Sequence, residues 1–174
     1  MKKLLATIAC VLSFAGCASP SPTDYAAEKP VLDLQRYFNG EVTAHGIFTD
    51  RSGKVVRRFT VLMKCQWTGD EGVLDEAFTY SDGKTDRRVW KLKKLPGGKY
   101  TGTAGDVVGT AVGQAAGNAF QWAYTLKLPV DDKVYEVQFD DWMWLVDDKV
   151  MLNKAVMSKF GIRLGEVTLS FQKS

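Results

Sequence analysis

The sequence predicts an all-β fold, an antiparallel up-and-down meander that closes into a barrel, preceded by a short N-terminal helix. Three observations predict it. From Phe38 onward, apolar residues recur at every second position, the period of a half-buried strand. Turn-forming clusters such as Asp50-Arg51-Ser52-Gly53-Lys54 and Ser81-Asp82-Gly83-Lys84 interrupt the alternation at hairpin spacing. The runs so defined amount to about eight to ten strands, and a sheet of that size must close or stack to remove its unpaired edges. Closure is the simplest solution, and a two-sheet sandwich is the alternative.

The chain begins with Met1-Lys2-Lys3, an apolar run from Leu4 to Phe14, and then Ala15-Gly16-Cys17. A positive start, a short apolar core and small residues make a secretory signal, and the run is too short to span a bilayer. Leu12-Ser13-Phe14-Ala15-Gly16-Cys17 resembles the bacterial lipobox. That resemblance implies removal of residues 1–16 and lipidation of Cys17, whose sulfur would carry a diacylglycerol and whose freed amine a further acyl chain such as palmitate. Two or three chains anchor stably where one does not. Ala18 follows the cysteine in place of the Asp that resembles an inner-membrane retention signal, so the expected location is the outer membrane, lipid-anchored and facing the periplasm.

Residues 17–30 contain the lipidated Cys17, Pro20, Pro22 and Pro30 among Ser and Thr, and are expected to be an extended tether. Residues 31–174 form the barrel domain, entered by a helix over Val31 to Phe38 with Val31, Leu34 and Phe38 on one side. Phe38 to Phe48 alternates as the first strand. Val55 to Trp67 pairs with it as a hairpin, placing Val61, Met63, Cys65 and Trp67 on one face. Val73 to Tyr80, Thr85 to Leu95 and Lys99 to Thr103 continue the meander. Phe120, Trp122, Tyr124, Leu126 and Leu128 alternate cleanly. Val134 to Asp140, Trp142 to Val146, Val150 to Met157 and a last strand bearing Val167, Leu169 and Phe171 complete it.

Gly105, Gly109, Gly113 and Gly117 recur every four residues. In an apolar helix this spacing packs against another helix. In a strand it gives one continuous face of small groups, which leaves lumen volume or lets another segment approach. Asp106, Gln114 and Asn118 favour strand or extended loop over packed helix or membrane insertion.

Composition excludes several functions. The chain carries a net charge of +3, which falls to +1 once Lys2 and Lys3 leave with a signal containing no acid. Such a balance provides no footprint for nucleic acid. Of the three cysteines only Cys65 stays as a free thiol, on an apolar face that makes it inert packing. The single histidine, His45, falls on the polar face of its strand, so neither a histidine-based triad nor a multi-histidine metal site is expected. The pairs Asp131-Asp132, Asp140-Asp141 and Asp147-Asp148 read as turn residues, and Arg87, Arg88, Lys91, Lys93 and Lys94 as a solvated strand edge. No cofactor, metal or catalytic group is predicted.

Two resemblances add to this. Tyr37-Phe38-Asn39-Gly40-Glu41-Val42 before a long meander resembles the entry of lipocalin and calycin barrels, although their Gly-x-Trp is missing. Phe38-Asn39-Gly40, Gly117-Asn118-Ala119, Leu128-Pro129-Val130, Phe139-Asp140-Asp141-Trp142-Met143 and Met157-Ser158-Lys159-Phe160-Gly161, together with the lipobox, are similar to an uncharacterised family of Gram-negative lipoproteins with a domain of unknown function. The second resemblance implies lipid-related work and gives no residue a role. The expected function is therefore a lipocalin-like barrel that binds an apolar ligand such as a fatty acyl chain. Gly109, Gly113, Trp67, Trp90, Trp122 and Tyr124 are its candidate lining. The alternatives are a solid barrel, or an assembly lipoprotein whose Trp142-Met143-Trp144, apolar on both faces, contacts another envelope protein.

Overall fold

The computed structural model describes residues 19–130 and 132–174. The signal peptide and Cys17 lie outside the described residues. Ten antiparallel strands form one closed barrel: β1 (Gly40–Asp50), β2 (Val55–Thr68), β3 (Glu71–Tyr80), β4 (Thr85–Leu95), β5 (Lys99–Thr103), β6 (Ala111–Ala116), β7 (Ala119–Val130), β8 (Lys133–Leu145), β9 (Val150–Lys159) and β10 (Ile162–Lys173). Each strand pairs with its sequence neighbours, and β1 also pairs with β10, which closes the sheet on itself. The ten strands exceed the eight of a lipocalin.

The hairpins form where the sequence provides turn chemistry. In the β1–β2 turn the Asp50 carboxylate accepts from the Ser52 and Lys54 amides at 2.8 and 3.2 Å, and Gly53 adopts φ +88°. Asp147 does the same for β8–β9, accepting from Lys149 and Val150 at 2.8 and 2.7 Å. Asp140 and Asp141 do not. They sit inside β8, which runs unbroken where the sequence reading divided it into two strands with an acidic turn between them. Pairing with β7 on one side and β9 on the other holds β8 extended through both residues.

Side chains alternate across the wall. Val42, Ala44, Met63, Leu74, Leu92 and Met151 face in and are buried, while His45, Arg58, Thr60, Lys64 and Gln66 face out and are exposed. An apolar interior and a polar outside invert the pattern of a membrane-spanning barrel, whose outer face must be apolar.

One end is plugged. The expected helix over 31–38 is reduced to a single turn, α1 (Leu34–Tyr37), with Leu32, Leu34, Tyr37 and Phe38 buried in the core. Asp33 caps it by accepting from the Gln35 and Arg36 amides. Lys173 Nζ binds the carbonyls of Arg36, Tyr37 and Asn39 at 2.7–3.0 Å, satisfying groups the short helix leaves open. Trp67 Nε1 donates to the Phe38 carbonyl at 2.8 Å, and the Tyr37 hydroxyl to that of Lys149 at 2.8 Å. Within the expected tether, Pro22–Tyr25 form a 3-10 turn whose Tyr25 ring packs edge-on against Trp142 and Trp144. Tyr25 thus occupies the outward aromatic pair that the sequence offered as a partner surface. The nearby Leu32 amide donates to the Gly117 carbonyl at 2.8 Å.

The glycine-spaced run divides in two. Residues 104–110 form a loop, with one bridge from Val107 to Leu126, and strand begins at Ala111. Gly109, at φ +68°, turns the chain and breaks the phase of a single small-residue face.

Candidate functional site

The plugged half of the barrel is solid and the other half is hollow. Val42, Ala44, Met151 and Phe120 are at most 1% exposed near the plug. Towards the other end the same inward alternation brings Phe48, Phe59, Phe78, Leu128, Leu164 and Leu169, which are only partly buried. They surround a cavity of about 730 Å³. Its floor includes Met63, Trp122, Met143 and Phe171, and Arg57, Val130, Tyr135 and Lys159 stand at its mouth. Closure around ten strands explains the space: the lumen widens with strand number, and these side chains fill only the end into which α1 inserts.

A belt of polar groups crosses the apolar wall at mid-height. Asp141 on β8 accepts from Trp122 Nε1 at 3.0 Å and from the Tyr124 hydroxyl at 2.9 Å, both on β7. Its second oxygen accepts from Asn153 Nδ2 on β9, which also donates to the Trp142 carbonyl at 2.9 Å. Burial lifts the Asp141 carboxyl to about 6, against the pull of those three donors, and burial beside Asp141 raises the Tyr124 phenol. On β4, Arg88 faces inward and grips Asp106 of the 104–110 loop with two nitrogens at 2.7–3.1 Å. That pair ties the loop over the gap left above short β5.

Glu76 on β3 stands opposite Arg88 in the ladder and faces the cavity. Among the described residues it has no hydrogen-bond or ion-pair partner, because Arg88 is turned to Asp106. Burial pushes its carboxyl up to about 7; Arg88 opposes this, and Asp106, Asp141 and Asp75 reinforce it.

Of the six lining residues proposed from sequence, Trp90, Trp122 and Tyr124 meet on the cavity wall, Trp90 and Trp122 with ring centres 4.5 Å apart. Gly113 lies outside the lining, pressed under Trp122 and Phe120, where any Cβ would collide with them. Gly109 is exposed in the loop. Trp67 faces inward as expected but at the plugged end, over Gly72 and beside Tyr100. Sequence reasoning missed Glu76, Arg88 and Asp141. Arg88, assigned to a solvated edge, shares the inward phase of Trp90 and Leu92 on β4, and this phase was the available signal.

Cys65 is buried at the plugged end and burial raises its thiol to about 12. His45 lies on the outer wall. Among the described residues no three or more His, Cys, Asp or Glu side chains gather as a metal site.

Comparison with known proteins adds the following. Among solved structures, a protein of unknown function of the DUF3598 family from Nostoc punctiforme is similar, with a TM-score of 0.57 and 13% identity over 85% of this chain. The chain spans about half of that protein, 51% of its length. A de novo designed fluorescence-activating β-barrel matches with a TM-score of 0.44 and 13% identity, over 82% of this chain and 99% of the design. No curated protein matches. The family model described as a protein of unknown function, DUF3833, matches residues 11–173, and the chain therefore belongs to the DUF3833 family.

Proposed function

We propose that this protein is a lipocalin-like binding module that takes an apolar ligand, of the fatty acyl class, into its barrel while a lipid anchor at Cys17 holds it at the periplasmic face of the outer membrane. The observation that carries the reading is the cavity. A volume of about 730 Å³ in an otherwise packed barrel, walled by aromatic and aliphatic side chains with few polar groups, falls in the usual range for ligand sites. Binding is favoured over catalysis because His45 is outside and Cys65 is sealed beneath the cavity floor, away from any cleft.

A second reading, contact with another envelope component, is favoured by the mouth itself. Phe160 is 87% exposed in the turn after β9, and Val134 is 65% exposed at the start of β8. Such a patch fits an apolar surface from which ligand is loaded or to which it is passed.

Native mass spectrometry of the full chain, purified from its own envelope, tests the first reading. An adduct of lipid mass is expected. It should be lost in Ala155→Trp, which puts an indole into the cavity from β9. An unoccupied chain in both cases, with no uptake of added long-chain lipids, would refute it. Labelled palmitate incorporated by the parent and not by Cys17→Ser would support the anchor.

A further inference from the structure

The polar groups inside the barrel are not equally available to a ligand. Arg88 commits its Nε and Nη2 donors, and its charge, to Asp106 in a two-pronged pair. Asp141 already accepts from Trp122, Tyr124 and Asn153. Asn153 gives its amide to Asp141 and to the Trp142 carbonyl, and Tyr124 gives its hydroxyl to Asp141. Glu76 remains, at mid-height and in the cavity wall, with no protein donor. A carboxyl in the cavity wall with no protein donor among the described residues is hydrogen-bonded only by solvent, and whatever fills the cavity displaces that solvent. In its ionised form it is satisfied only by a ligand group that donates.

We propose that the barrel selects an amphiphile whose polar end donates hydrogen bonds to Glu76, a primary ammonium or a hydroxyl, in preference to a carboxylate. A carboxylate at that depth would lie beside Glu76 and Asp141, with the one cation there among the described residues, Arg88, already ion-paired to Asp106, and like charges in an enclosed site repel. The ligand enters polar end first. Glu76 is the deepest lining residue of β3, opposite Met63 in the ladder, and buried Leu74 and Cys65 follow towards the plug, so the apolar tail runs back towards the mouth between Phe59 and Leu128. The inference rests on the binding reading above and sharpens its ligand.

Titration of the full chain with dodecylamine, dodecanol and dodecanoate at pH 8, all below micelle formation and read by the change in tryptophan fluorescence, to which Trp90 and Trp122 contribute from the cavity wall, separates the possibilities. Dodecylamine and dodecanol should bind about tenfold or more tighter than dodecanoate, the effect of one good hydrogen bond. Glu76→Gln keeps an acceptor but removes the charge. It should cost dodecylamine about tenfold and leave dodecanol within about threefold. Equal or tighter binding of dodecanoate, or a ranking unchanged in Glu76→Gln, overturns the inference and leaves the binding reading intact. If none of the three binds, the binding reading falls and the inference with it. The ranking on the unaltered chain decides the matter even if the variant does not fold.

Discussion

Glu76 should weaken the fold at neutral and alkaline pH, and its replacement by Gln should stabilise it there. The carboxyl is pushed from an ordinary 4.5 to about 7 by burial, with Asp106, Asp141 and Asp75 adding to the shift and Arg88 opposing it. The folded value lies above the unfolded one. Between these values the folded chain holds a proton that the unfolded chain has released, so stability falls as pH rises from about 4.5 to 7 and then levels off. At about 1.4 kcal/mol per unit, the full shift is worth up to about 3 kcal/mol, and solvent reaching the carboxyl through the cavity reduces it to about 1–3 kcal/mol. Glu76→Gln removes this penalty. For a domain of this size the variant should melt about 3–10 °C higher at pH 8. The two proteins should converge near pH 4.5. Part of the pH slope should persist in the variant, because Asp141 is raised in the same sense, to about 6. Thermal melts of both full chains from pH 4.5 to 8.5, followed by far-ultraviolet circular dichroism, provide the comparison. Equal melting temperatures at pH 8, or parallel pH profiles, would show that Glu76 is fully solvated or paired and would refute the reasoning.

Further predictions follow from the same geometry. Asp141→Ala strands the donors of Trp122, Tyr124 and Asn153 inside the wall and should cost about 2–5 kcal/mol in urea unfolding, whereas an exposed acid such as Asp140 should cost under about 1. Gly117→Ala should free the N-terminal segment, because at φ +54° its Cβ would overlap the Tyr25 carbonyl oxygen; cleavage by protease within residues 19–30 should speed up while the barrel stays intact. The Cys65 thiol, held near 12, should resist iodoacetamide in the native protein at pH 8 and react at the rate of a free thiol in denaturant, which mass spectrometry reads directly.

Alternation makes one quantity legible in a sequence and leaves another hidden. It tells which way a side chain faces. His45 on the outer wall, Cys65 in the core and the wall positions of Trp90, Trp122 and Tyr124 all follow from it. It does not tell how high a side chain sits in the barrel. Trp67 obeys the same inward phase as Met63, yet one lies over the plug and the other on the cavity floor. Height is fixed by which hairpin turns gather at each end and by the Leu32–Phe38 segment that fills one end, both long-range facts. A second loss comes from treating a charge as punctuation. Leu74, Glu76, Phe78 and Phe139, Asp141, Met143 are unbroken inward runs once the acid is counted as a member.

The inward acids and the plug are also physically linked. Below the polar belt, side chains from the strands and from α1 pack without leaving room for solvent, and a lone carboxyl there would pay the full cost of desolvation. At the mouth a carboxyl would be bathed in water and would discriminate little. Glu76 and Asp141 stand where the packed half gives way to the hollow half, the height at which a carboxyl is partly desolvated and still reached by solvent through the cavity. Lengthening the plug by one helical turn would move that boundary towards the mouth and leave Glu76 with no ligand space beside it. The depth of the N-terminal segment, as much as the lining itself, therefore sets the volume of the cavity.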